Sequence, residues 1–252
     1  MRPISLVAMA VGLAQQPLVA QPQDSPATFE VASIRQHTPA ITEVAILVSG
    51  TRVTVTVYAL LGLIMDAYKL EPYQIAGRAD WMDNDRYDIT ARAPGENPPT
   101  SAQVETLLQT LLADRFQLRF HRETRQLPEY ALVLGRNGPK LQASAPDAAW
   151  RTRLSGSGLV NELIVSKEDM DQLAKQLASA VGRPVVDKTG LAGSYDFQLS
   201  WSSNDVSTAP SDRERRPSIF TALQEQLGLK LESTRGPVEL LVIDHAEKPT
   251  PN

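Results

Sequence analysis

The chain has 252 residues, carries a formal charge of −4 and contains no cysteine. A mildly acidic balance argues against nucleic acid or an anionic lipid surface as a partner of the whole chain. The missing thiols exclude disulfide staples, so stability must come from burial, which a 42% hydrophobic content can supply.

The N-terminus reads as an export signal. Arg2 precedes an uncharged apolar run, Ile4 to Ala14, and small residues offer cleavage after Ala14 or after Ala20. A spanning helix needs about 20 apolar residues, so residues 1–20 are expected to be a cleaved signal peptide. The expected location is periplasmic or secreted, with no membrane span in the mature chain.

A first strand is expected from Phe29 to Ile34. Four amphipathic helices follow, by one-face spacing of apolar residues. They are Val57 to Tyr68, Val104 to Leu112, Met170 to Val181 and Ile219 to Leu227. Thr100 with Gln103, and Ser166 with Asp169, have the spacing of a capping box. Alternation marks strands at Phe116 to Phe120 and Leu227 to Leu231, and further strands are expected at 86–92, 129–134, 194–200 and 237–243. The segments 94–99, 135–150 and 202–217 are rich in turn formers.

The two halves repeat one pattern. Leu112, Phe116, Leu118 and Phe120 have the spacing of Leu223, Leu227, Leu229 and Leu231, and Tyr87-Asp88-Ile89 parallels Tyr195-Asp196-Phe197. Pro128 and Pro237 open similar apolar runs, and Ser49-Gly50 is matched with Ser155-Gly156. The fold class expected is α+β, in two pseudo-repeated subdomains over 29–145 and 150–252. Each is a small antiparallel or mixed sheet with two helices on one face.

The motifs of catalysis are mostly missing. His37, His121 and His245 lie far apart and form no H-E-x-x-H. Gly156-Ser157-Gly158 is preceded by Ser155 where a nucleophile elbow requires glycine. Asp187-Lys188-Thr189-Gly190 contains a Lys-Thr-Gly, but no serine has lysine three residues later, and Asp first with Gly fourth suits a type I turn. The acids Asp80, Asp83, Asp85 and Asp88 lack the glycine and terminal glutamate of a calcium loop. Arg115, Arg119, His121, Arg122 and Arg125 could together receive a carboxylate or phosphate. Trp81, Trp150 and Trp201 are expected in core or hinge packing.

Several runs together resemble the exported, uncharacterised group expanded in acidobacteria, the domain of unknown function 3738. They are Phe29-Glu30-Val31-Ala32-Ser33-Ile34, Leu112-Ala113-Asp114-Arg115-Phe116, Gly182 to Leu191, and Gln226 to Glu232. The resemblance implies no known activity. Some relatives carry this region behind a membrane-embedded metallopeptidase, which implies an extracytoplasmic sensing or binding role. The expected function is therefore a non-enzymatic binding or sensing module of the envelope, engaging an envelope protein or small ligand. Arg115, Asp187 and Lys188 are its candidate binding residues. No catalytic residue, metal ligand or cofactor is assigned. The competing reading is an extracytoplasmic hydrolase using Asp187 and Lys188 or the Asp80–Asp88 cluster.

Overall fold

The computed structural model describes residues 27–38, 43–157, 160–202 and 217–250, apart from the side chains of Ser157 and Val160. The expected signal peptide lies outside them. Among the described residues the fold is α+β, with three four-stranded sheets.

The first sheet has the order β1 (Val31–Gln36), β5 (Arg86–Arg92), β3 (Arg52–Ala59), β2 (Ala45–Ser49), all antiparallel. The third has the order β7 (Gln142–Ala143), β11 (Tyr195–Ser202), β9 (Val160–Glu168), β8 (Arg151–Ser157), again antiparallel. Between them β6 (Arg119–Leu134) and β12 (Leu229–His245) form a long antiparallel ribbon. Short strands flank its two ends in parallel, β10 (Val185–Asp187) on β6 and β4 (Ile75–Ala76) on β12.

The helices arise as their periodicity requires. α3 (Ser101–Arg115) buries Val104, Leu107, Leu108, Leu111 and Leu112 and opens with the expected capping box between Thr100 and Gln103. α4 (Met170–Val181) buries Met170, Leu173, Ala174, Leu177 and Ala178. Its N-cap is Asp169, whose side chain accepts from the Gln172 N–H, so the expected Ser166–Asp169 box is not formed. α1 (Leu60–Tyr68) begins later than expected, because Val57 still belongs to β3. A short α2 (Asp80–Asn84) precedes β5, and α5 (Ile219–Ala222) continues as a widened π turn through Leu227.

Two cores result. The first packs Ile34, Val53, Val55 and Ile89 of the sheet against α1, α3 and Phe116. The second packs Leu163, Val165, Phe197, Leu199 and Trp201 against α4, α5 and the π turn. Leu241 and Ile243 of β12 enter the first core, while Leu132 of β6 enters the second together with Leu229 and Leu231. Each core thus draws on both sides of residues 145–150.

Pro128 and Pro237 face Arg235 and Gln126 in mid-ribbon. Tyr130, two residues after Pro128, donates its N–H outward to Pro184, and Leu132 accepts there from Lys188. Strand alternation then aims the imide nitrogen of Pro128 outward as well, where no ladder bond is lost. Ser155 and Gly156 continue β8, opposite Glu162 and Asn161, whereas Ser49 ends β2 and Gly50 turns toward β3.

Left-handed backbone recurs at helix and strand boundaries. Val57 and Lys167, each just before a helix, both have φ 58°. Lys69 and Gly182 end α1 and α4 at φ 54° and 65°, and Gln117 and Gly228 lead into β6 and β12 at φ 51° and 66°. At Gly228 the reason for glycine is also steric: a Cβ there would stand 2.0 Å from the Gly138 carbonyl oxygen.

Candidate functional site

The sequence candidates do not assemble. Arg115 closes α3, where its guanidinium donates to the backbone carbonyls of Ala32 and Thr250. Asp187 ends β10 at the edge of the central sheet, and Lys188 follows it. Asp187 Oδ1 accepts from the Thr189 N–H at 2.8 Å, and Thr189 Oγ1 accepts from the Leu191 N–H at 3.1 Å. Gly190 sits at φ 70°, so the run is a hydrogen-bonded reversal. Gly190→Val is expected to cost about 1–2 kcal/mol through backbone strain alone, since a Cβ there meets nothing within 4 Å. Lys188→Ala should leave the melting temperature unchanged, because this side chain is exposed. A thermal melt of both variants checks the pair, and loss of a ligand with Lys188→Ala would overturn the purely structural assignment.

The acidic cluster disperses in the same way. Asp83 pairs with Arg78 and offers its carbonyl to Arg86, Lys248 lies 2.7 Å from Asp85, and Asp88 bonds His37. Along the ribbon, His121 bonds Asp244, Arg122 bonds Glu239 and Arg125 bonds Glu123, so three members of the basic set meet acids. Trp201 is core, as expected of the tryptophans. Trp81 is half-buried beneath the Lys248 ammonium, and Trp150 is exposed.

Asp88 and Asp196 have structural roles that the motif search missed. Asp88 Oδ1 accepts from the Val57 N–H at 2.9 Å, and Asp196 Oδ1 accepts from the Lys167 N–H at 2.9 Å. Each carboxylate therefore clamps a bulged residue held at φ 58°, where a β-branched or long side chain is strained. Burial works to raise the Asp88 carboxyl, but bonds from His37 and the Val57 N–H outweigh it and hold the group below its ordinary value. The Ser144 hydroxyl, then the Lys167 N–H, depress Asp196 in the same direction. The signal was legible as the repeated Tyr-Asp-apolar triplet, although nothing in it named the partner.

Two clefts open beside the helices. The first, of about 750 Å³, lies between β2 and helices α1 and α3, against Ile46, Val48, Met65, Leu70, Val104 and Leu108. Asp66, Glu71, Glu105 and Lys69 stand among these residues, with Lys69 Nζ 2.9 Å from Glu105. The second, of about 620 Å³, lies between β8 and α4 and is walled by Leu154, Leu163, Leu177, Trp201 and Ile219. Its polar residues, including Thr152, Asn161 and Gln176, carry no formal charge.

In each case the bordering strand is the outermost of its sheet among the described residues, β2 in one and β8 in the other. Both expose apolar side chains, Leu47 at 61% and Leu154 at 68%. Beneath α4, at the end of β9, Glu168 is 1% exposed, and neither carboxylate oxygen has a hydrogen-bond partner among the described residues. Burial, then the charge of Asp169, pushes its carboxyl above the ordinary range, with Gln176 partly offsetting. No helix among the described residues is long and apolar enough to cross a membrane.

No curated protein and no solved structure matches the chain. Residues 61–246 match the family described as protein of unknown function (DUF3738), and the chain belongs to that family.

Proposed function

Starting from membership of that family, we propose that the protein is a non-catalytic binding module of the cell envelope, exported by its first 20 residues. In this reading it consists of two pseudo-repeated α+β halves over 29–145 and 150–252, which exchange the ends of their last strands, and β7, although within 29–145, completes the sheet of the second half. The support is positional. The orders β1-β5-β3-β2 and β7-β11-β9-β8 correspond strand for strand. The clamps Asp88–Val57 and Asp196–Lys167 correspond bond for bond.

One observation carries the functional part: an open sheet edge beside a largely apolar cleft occurs twice, at corresponding places. Such an edge offers backbone donors and acceptors, and the cleft offers apolar contact. That combination suits recognition of another chain or an amphipathic ligand better than bond cleavage. The hydrolase alternative draws nothing from Asp187, which is engaged in its own turn, or from the dispersed acids.

The test is site-specific photo-crosslinking in the native host. A crosslinking residue at Val48 or at Leu154 of the full chain should capture another molecule, and one at the exposed turn residue Arg136 should not. Equal capture from Arg136, or none from either edge, would sink the proposal. Mass measurement of envelope-fraction protein from the same cells should show loss of the first 14 to 20 residues. Intact Met1 in the cytosol would refute the export.

A further inference from the structure

We infer that the cleft beside β2 binds an extended peptide segment as a fifth strand of the first sheet, with apolar side chains at successive cleft-facing positions and a basic one beyond them. This rests on the binding-module reading and names the ligand class of one of its two clefts.

The backbone geometry comes first. Ser49 and Arg52 face each other across a two-residue turn, so they form a pair that exchanges both hydrogen bonds. Alternation then turns the N–H and C=O of Ala45, Leu47 and Ser49 toward β3, and those of Ile46 and Val48 toward the open edge. The side chains of Ile46 and Val48 both line the cleft. Residues of an added strand opposite these two would place their own side chains on the same face, over Met65, Leu70, Val104 and Leu108.

Among the described residues nothing guards the edge. Natural edge strands are blunted by lysine, proline or an inward charge, whereas β2 reads Ala-Ile-Leu-Val-Ser. The sign of the ligand follows from the lining. Asp66, Glu71 and Glu105 are set against Lys69 alone, which leaves the cleft net negative. A cationic side chain on the cleft face of the peptide is favoured there and an anionic one repelled. The lining of the second cleft carries no formal charge and selects no sign.

The experiment is fluorescence polarisation of a labelled peptide, Thr-Val-Thr-Val-Thr-Lys-Thr, titrated with the full chain, alongside its analogue with Glu for Lys. The wild-type chain should bind the Lys peptide about tenfold more tightly than the Glu peptide, and Glu105→Lys should reverse that order. Val48→Pro removes an outward donor without touching the β2–β3 ladder and should weaken binding about tenfold. Arg136→Ser, in an exposed turn of the chain away from β2, should change nothing. Should Val48→Pro fail to fold, the charge-reversal variant alone decides.

No binding of the Lys peptide at millimolar concentration, or binding indifferent to both variants, overturns the inference. Self-association lost on Val48→Pro would assign the edge to a second copy and equally overturn it. If the peptide fails while crosslinking at Val48 still captures a molecule, only the ligand class falls. If both fail, the binding-module reading falls with it.

Discussion

Asp88→Ala is expected to lower the stability of the chain by about 2 kcal/mol. The carboxylate makes two bonds, to the Val57 N–H at 2.9 Å and to His37 Nδ1 at 2.7 Å. The His37 side chain is only 6% exposed, so removing its partner leaves a polar atom in a largely apolar place. Charge-assisted bonds are worth roughly 1.5–3 kcal/mol each when buried. Asp88 is partly solvated, and that screening sets the lower total. Val57 would also lose the contact that holds it at φ 58°. Asp88→Asn keeps an acceptor for Val57 and should recover part of the loss.

The pH dependence has a definite sign. The Asp88 carboxyl is depressed in the folded chain, so its stabilisation is present above the unfolded value of about 3.9 and lost as pH falls through the lower folded value. Urea titrations of wild type and Asp88→Ala should therefore converge in strong acid. A constant gap down to pH 2 would refute the role given to the ionised Asp88 carboxylate.

Glu168→Gln should stabilise the chain, by about 1–3 kcal/mol at pH 8. Glu168 is buried with both oxygens unpartnered among the described residues, and the Gln176 amide oxygen is orphaned as well. The ionised form leaves a buried charge, which burial and the neighbouring Asp169 both disfavour, whereas a glutamine amide carries none. The raised carboxyl contributes stability that is fully present below the unfolded value of about 4.3 and is lost as pH rises through the folded value. The gain from Glu168→Gln should thus appear above that window and vanish below pH 4. Equal stability of the two proteins at pH 8 would show that Glu168 is solvated after all.

Most elements were legible because they bury one face in a regular period. α3 and α4 keep their apolar spacing over three turns and more, and the Asp187 turn announces itself by Asp and Gly at fixed offsets. The start of α1 was misplaced because Val53, Val55 and Val57 alternate as a strand while Val57, Leu60, Leu61 and Ile64 also fit a helical face. The ribbon was broken into pieces because Pro128 and Pro237 read as strand ends. Only the pairing reveals that their imide nitrogens face the open side of a two-stranded segment. The cleft beside β2 was invisible for a different reason. It is a relation between an edge strand and two helices distant in sequence, and its apolar lining has no residue type that names a chemistry.

The ribbon sets the order in which the chain can mature on the ribosome. The elements from β1 to α3, with Phe116 and Leu118, supply most of the first core, yet Leu241 and Ile243 arrive only with β12, which pairs Ile243 with Phe120 and His245 with Arg119 across more than a hundred residues. An emerging polypeptide must hold that half incomplete until β12 has been translated. Closure over such a span is entropically slow. A stall or truncation before Leu229 leaves both cores without a wall, so a prematurely terminated product is a substrate for proteolysis rather than a smaller working version of the protein.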